Sequence, residues 1–307
     1  MEAISEEIRS RLKEAVTTSG AEGILFSGGL DTSILALLTP GIPALNIKLA
    51  GYGEDSHYAE LLAKRLSLKL HVERVNVEDA LETIPRVIKM LNSFDPALPN
   101  DLAIFFALKK ASEEGLTSVI TGDGADELFA GYSYMFDLDL SKYLPELCSR
   151  MRFSAGILGS HLGIKVIQPF LDESLVNFAL SISPSLKIRD ENGQKYGKWI
   201  LRHAFAGYLP PEIIWQSKRP IETGSGFTEL HGIIGAGISD ADFARAKSSY
   251  GVDFLSKDHL FYYRIYREVV GEIPLPKAGE IACPGCGAGI LTSSYHCRTC
   301  GWSRKLR

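Results

Sequence analysis

The chain has 307 residues, 45% of them hydrophobic and 23% charged, with a formal net charge of −4 at pH 7. That is enough apolar material for one domain of about 250 residues plus something small. The mild acidity offers no bulk attraction to nucleic acid or an anionic membrane, and no apolar run approaches the ~18 residues of a membrane span.

The acidic start Met1-Glu2-Ala3-Ile4-Ser5-Glu6-Glu7 is unlike a secretory leader, so a cytoplasmic protein is expected. Ile4, Ile8, Leu12 and Val16 recur at helical spacing and predict a helix over 3–18. Alternation then sets in: strand 22–26, helix 32–38, strand 44–49, helix 56–67, strand 69–75, helices 78–91 and 101–114, strand 117–121. This order predicts an α/β fold with a doubly wound parallel sheet and right-handed crossovers, whose ligands lie outside the carboxyl ends of the strands. From residue 125 the pattern reads as helical, over 125–132, 138–153, 172–181, 194–208, 211–216, 226–236, 241–247 and 257–270. Gly271-Glu272-Ile273-Pro274-Leu275-Pro276 reads as a semi-rigid linker. The expected division is a main domain over 1–270 (sheet core about 15–135, helical part about 136–270), a linker over 271–280 and a small module over 281–307. His57 and His71 flank a helix and a strand without the look of catalytic bases, and Phe261-Tyr262-Tyr263 with Tyr266 suits a packed helix face.

Ser27-Gly28-Gly29-Leu30-Asp31-Thr32-Ser33 lies between the apolar run 23–26 and the helix that follows. Glycines let backbone N–H groups approach an anion at a helix N-terminus. Ser27, Thr32 and Ser33 add hydroxyl donors, and Asp31 can hold a magnesium ion between phosphates. An ordinary capped turn would not need three hydroxyls, two glycines and a carboxylate together. No Lys follows the glycines, so the loop is not a Walker A.

Cys283, Cys286, Cys297 and Cys300 form C-x2-C-x10-C-x2-C, with Gly287 and Gly301 after each pair. Two such knuckles put four thiolates in tetrahedral reach of one Zn2+. Disulfides or redox dithiols are the alternative, against the doubled spacing and the intracellular composition. The segment from about Ile281 has too few apolar residues to fold without metal.

The loop 27–33 resembles the pyrophosphate loop S-G-G-x-D-[ST]-[ST] of the N-type ATP pyrophosphatases, or PP-loop ATPases. A second motif, Thr121-Gly122-Asp123-Gly124-Ala125-Asp126-Glu127-Leu128-Phe129-Ala130-Gly131-Tyr132, resembles S-G-E-G-[SA]-D-E-[LV]-F-G-G-Y of the asparagine synthetase family's synthetase domain. Gln168-Pro169-Phe170-Leu171-Asp172, Lys198-Trp199-Ile200-Leu201-Arg202, Tyr208-Leu209-Pro210 and Trp215-Gln216-Ser217-Lys218 extend the resemblance over roughly 15–270. It implies an adenine-nucleotide hydrolase-like fold with a helical region behind it. It implies an ATP-dependent carbon–nitrogen ligase, releasing AMP and diphosphate, that adenylates a carboxylate and passes it to ammonia, with aspartate to asparagine as the default. By the same resemblance Asp31 and Asp126 hold Mg2+, and Lys218 (beside Arg219) stabilises developing negative charge. Glu127 pairs with the substrate ammonium, Asp123 positions the nucleophile, Ile47 lies at the adenine, and Gly122 belongs with the ATP loop.

The departures are informative. Asp123 is one methylene shorter than the family's Glu, and Lys165 and Ile167 stand where G-V-E-A-R-V-P places Glu and Arg. Thr32 for Ser and Ala130 for Gly are expected to be harmless. The family's glutaminase half needs a Cys after the initiator Met, and here Glu2 and Ala3 follow Met1. The expectation is therefore free ammonia, ammonia from a separate glutaminase subunit, or another nucleophile. A competing class is a PP-loop enzyme that modifies tRNA or a protein recognised through the zinc ribbon, motivated by Arg298, Arg304, Lys305 and Arg307 and opposed by the net charge. A third is a non-catalytic nucleotide sensor.

Overall fold

The structure is a computed structural model that describes residues 1–52, 56–191, 193–218 and 220–304. The His57 side chain, Arg219, Lys305 and Arg307 of the sequence reading lie outside that description. The chain forms two compact units: Met1–Ile47 with Glu54–Glu73 and Ala107–Pro220, and Lys48–Gly53 with Arg74–Phe106 and Ile221–Arg307.

Helix α1 (Glu2–Thr17) buries Ile8, Leu12 and Val16 of the stripe its periodicity foretold, with Ile4 partly buried and Ser5 buried beside them, and packs on α11. The alternation follows as β1 (Gly23–Leu25), α2 (Leu30–Leu38), β2 (Ala44–Leu49), α3 (Ser56–Leu66), β3 (Leu70–Val75), α4 (Val77–Leu91), α5 (Leu98–Glu113) and β4 (Ser118–Ile120). The sheet order is β3-β2-β1-β4-β5, and the β1–β2, β1–β4 and β4–β5 pairs are parallel. Strand order reverses between β1 and β4, so the loops leaving these two strands face one crevice. Gly23–Leu25 is fully buried and reads as a continuous apolar run for this reason, while the equally buried Ala44–Leu49 also carries Asn46 and Lys48.

After β4 come α6 (Ala125–Phe129), a 3-10 turn (Ser133–Asp137), α7 (Leu140–Cys148), α8 (Ser154–Leu162), β5 (Lys165–Ile167), α9 (Glu173–Ser181) and α10 (Pro184–Lys187). The single helix expected over 138–153 is therefore interrupted after Cys148, and β5 was not foreseen at all. Three residues between Gly163 (φ +71) and Pro169 are too short to show a period; pairing with Ser118–Ile120 is what makes them a strand. Over 194–208 the helix expectation fails at its start. A hairpin of β6 (Arg189–Glu191) and β7 (Gln194–Tyr196) turns at Gly193 (φ +83), and α11 (Trp199–Phe205) begins only after Lys198. Helix α12 (Pro211–Ile214) completes this unit.

The second unit contains α13 (Ile221–Gly224), α14 (Glu229–Ala236), α15 (Asp240–Ser249) and α16 (Lys257–Val269), with α16 packed on α4 and α14. The aromatic run expected to pack does so: Tyr262, Tyr263 and Tyr266 are buried, the last two edge-on to Phe94. A two-stranded ribbon of β8 (Glu280–Ala282) and β9 (Gly289–Leu291) flanks Cys283 and Cys286, and a bridge between His296 and Ser303 spans Cys297 and Cys300.

Candidate active site and metal cluster

The loop after β1 closes on itself. Ser27 Oγ accepts from the Gly29 N–H at 3.2 Å and lies 3.1 Å from Thr32 Oγ1. Gly28 takes φ +76, and a Cβ there would sit 2.7 Å from the Ala59 nitrogen, so only glycine fits. Asp31 stands in the first turn of α2, where the helix N–H groups lack intrahelical acceptors. Ser33 does not join Ser27 and Thr32: it is fully buried, and its hydroxyl has no partner among the described residues. Ile47 is buried on β2.

The loop after β4 brings the second motif beside the first, and a Cβ on Gly122 would lie 3.0 Å from that of Asp31. Gly124 (φ +94) starts α6 and Ala130 (φ +56) ends it, which presents Asp126 and Glu127 from a five-residue helix. Between the two loops lies Lys198, 3% exposed, with Nζ at 2.8 and 2.7 Å from the Asp31 oxygens and 2.7 Å from Asp126 Oδ1. Lys218 Nζ reaches Asp126 Oδ2 at 2.6 Å and lies 5.3 Å over the Tyr132 ring. Sequence reasoning assigned no role to Lys198, although the signal was there in Lys198-Trp199-Ile200-Leu201-Arg202. Its backbone is left-handed (φ +56), and its N–H donates to the Phe129 carbonyl at 2.9 Å. Two non-glycine residues in that region, Ala130 and Lys198, thus meet at the site, and strain of this kind gathers where geometry is demanding. Gly131 is obligatory here, because a Cβ would overlap Asp126 Oδ1 and the Lys198 side chain.

Arg202 is buried and ties both lysine segments together. Its Nε donates to the Gly197 carbonyl at 2.9 Å, just before Lys198. Its Nη1 donates to the carbonyls of Ile214 and, at 3.1 Å, Gln216, just before Lys218. Gln216 Nε2 in turn donates to the Gly28 carbonyl at 3.3 Å.

Charge is balanced by position. Burial would raise the Asp126 carboxyl, but the Lys198 and Lys218 ammonium groups outweigh it and hold its pKa below the usual value. Burial likewise opposes the Lys218 charge, and Asp126 and Asp31 more than offset it. Glu127 is helped less: burial, then the neighbouring Asp126, push it up to about 7 against the Lys198 charge, while the Tyr132 hydroxyl donates to Oε1 at 3.1 Å. Burial also raises Asp123, against hydrogen bonds from Gln168 and Thr121. Asp126 Oδ1 is buried and accepts no hydrogen bond among the described residues despite its nearness to Lys198. An orphaned carboxylate oxygen facing a second carboxylate, Asp31, fits a hard divalent cation such as Mg2+.

In the other unit, the four cysteine Sγ atoms lie within 4.8 Å of one another, with Cys283–Cys300 at 3.8 Å and Cys286–Cys297 at 3.9 Å. A tetrahedral site with metal–sulfur bonds of ~2.3 Å has edges of ~3.8 Å, so this cage fits one Zn2+. A cluster with one iron per cysteine holds its sulfurs farther apart. Gly287 (φ +81) and Gly301 (φ +75) close the two knuckles, and the Gly285 N–H donates to Cys283 Sγ at 3.3 Å. The second knuckle rests on the α4–α5 loop of its own unit: the Phe94 N–H donates to the Thr299 carbonyl at 2.8 Å, and His296 Nε2 lies 2.9 Å from Asp95 Oδ2. No helix of the described residues is long and apolar enough to cross a membrane.

These features agree with sequence comparison. The probable asparagine synthetase [glutamine-hydrolyzing] of Dictyostelium discoideum is 27% identical over 87% of this chain and 55% of its own length. Asparagine synthetase B [glutamine-hydrolyzing] of Escherichia coli is 26% identical over 95% of this chain and 56% of its own. The chain thus spans about half the length of the curated relatives it matches. Among solved structures, the U34-tRNA thiolase NcsA from Methanococcus maripaludis with its [4Fe-4S] cluster covers 93% of this chain and 84% of its own at 15% identity. Its TM-score of 0.33 is too low to bear on the chemistry. The asparagine synthase family profile matches residues 7–156 and 134–272, and the chain belongs to that family.

Proposed function

We propose that this chain joins ammonia to an activated carboxylate at the expense of ATP, forming AMP, diphosphate and an amide, with aspartate as the acceptor. The observation that carries the reading is the array Asp31–Lys198–Asp126–Lys218 beside the glycine loop. A carboxylate that attacks the α-phosphorus brings two anions together, and two ammonium groups already fixed at that crevice lower the cost. Asp31 and Asp126 would hold Mg2+, which when bound neutralises phosphate charge. Lys218 is the more exposed lysine, 32% against 3% for Lys198, and is the one free to follow charge as it develops. Glu127 ionises as pH rises through about 7 and would then attract the substrate ammonium. Asp123 would position the incoming nitrogen. Zn2+ is the ion proposed for the cysteine cage, as a structural brace.

The test is diphosphate release by the zinc-loaded protein with ATP, Mg2+, ammonium and a panel of carboxylic acids headed by aspartate. Lys218→Ala serves as the blank. Aspartate-dependent AMP and diphosphate, lost in the variant, are expected. Activity with another acid alone would move the substrate, and silence across the panel would overturn the ligase reading.

A further inference from the structure

Asp123 is the shortened acid of the second motif, and its hydrogen bonds are lopsided. Thr121 Oγ1 and Gln168 Nε2 each donate to the same oxygen, Oδ2, at 2.8 Å. A carboxylate only accepts, so the NH2 end of the Gln168 amide must face it. Among the described residues no hydrogen bond reaches Oδ1. Both donors sit just past paired strands: Thr121 follows β4, Gln168 follows β5, and the Thr121 N–H donates to the Ile167 carbonyl at 3.0 Å. In the motif G-V-E-A-R-V-P that this stretch resembles, Val occupies the position of Gln168. A long amide thus stands opposite a short acid here, and the family patterns have a short apolar residue and a long acid at these two positions.

We propose that Gln168 is a positioning residue that, with Thr121, holds Asp123 Oδ2 and turns Oδ1 into the site, setting the reach of the shortened carboxylate. This rests on the ligase reading above. The two substitutions act as a pair. Asp123→Glu alone pushes a longer side chain into Gln168, and Gln168→Val alone leaves a short acid free to swing. A displacement of about 1 Å at a reacting group costs on the order of 100-fold in rate.

The experiment is a double-variant cycle read by diphosphate release, with side-chain amide NMR of the nucleotide-free protein beside it. Gln168→Val and Asp123→Glu should each lower kcat about 10- to 100-fold with the KM for ATP unchanged, and the double variant should regain most of the loss. In the NMR arm the Gln168 NH2 protons should exchange slowly with water in the wild type and quickly in Asp123→Ala. Losses that simply multiply, a Gln168→Val enzyme within twofold of wild type, or fast amide exchange in the wild type would each overturn the proposal. A slowly exchanging amide in a wild type that releases no diphosphate would sink the ligase reading while upholding the Gln168–Asp123 bond.

Discussion

Asp126 Oδ1 lies 2.7 Å from the Lys198 ammonium, whose Nζ also donates to both oxygens of Asp31. Lys198 therefore neutralises two carboxylates at once. Lys198→Met removes the lysine shared by Asp31 and Asp126, which are 17% and 9% exposed, and leaves Lys218 on Asp126. Breaking a buried pair in this way should cost about 2–4 kcal/mol in urea unfolding, and millimolar Mg2+ should restore part of it. A variant as stable as wild type, or indifferent to Mg2+, would contradict this charge balance.

Glu127 gives a pH signature. Its folded pKa is raised, so the unfolded chain loses the proton first and stability falls as pH rises from the ordinary carboxyl value of 4.5 to about 7, then levels. Glu127→Gln should remove that slope and stabilise the nucleotide-free protein by on the order of 2 kcal/mol above pH 7. Activity should also lose its acid limb near pH 7. Parallel stability-versus-pH curves for the two proteins would show that Glu127 ionises normally.

Ala130, expected to be a harmless exchange for Gly, ends α6 in the left-handed region at φ +56. An L side chain there costs ~1–2 kcal/mol, of which Gly recovers a part after its larger unfolded-state entropy. Ala130→Gly should raise stability by about 0.5–1 kcal/mol in a denaturant titration. A destabilised variant would mean that the methyl group, fully buried against Met135, Leu140 and Leu144, matters more than the backbone.

Metal removal should be felt beyond the cysteines. The Phe94 N–H donates to the Thr299 carbonyl, which lies between Cys297 and Cys300. Chelation should therefore speed hydrogen exchange at Phe94 by at least tenfold, along with exchange at Gly287 and Gly301, whose N–H groups close the knuckles onto Cys283 and Cys297. Unchanged protection at Phe94 in the metal-free protein would show that the loop stands without the ribbon.

Much of this was legible in the sequence where a local period or a dense motif exists. Ile8, Leu12 and Val16 announced α1, and the two glycine–carboxylate loops announced a crevice between β1 and β4. What failed was set by distant pairing: β5 is a strand only because Ser118–Ile120 lies beside it, and Lys198 interrupts a helical pattern because Phe129 holds its backbone. The placement of Lys198 between Asp31 and Asp126 comes from chain segments 167 and 72 residues away, a relation no window of sequence displays. Ser33 shows the converse, a residue of the right type in the right loop whose helical position turns it into the core.

The central claim, that this site adenylates a carboxylate, is tested most directly by following oxygen. Aspartate labelled with 18O in its side-chain carboxyl is turned over with ATP, Mg2+ and ammonium, and the products are weighed. Attack of that carboxylate on the α-phosphorus, then displacement by ammonia, leaves one labelled oxygen in AMP and one in the amide. AMP heavier by one 18O is the result the account requires. Label appearing in inorganic phosphate beside ADP, or unlabelled AMP from a reaction that still makes amide, would contradict it.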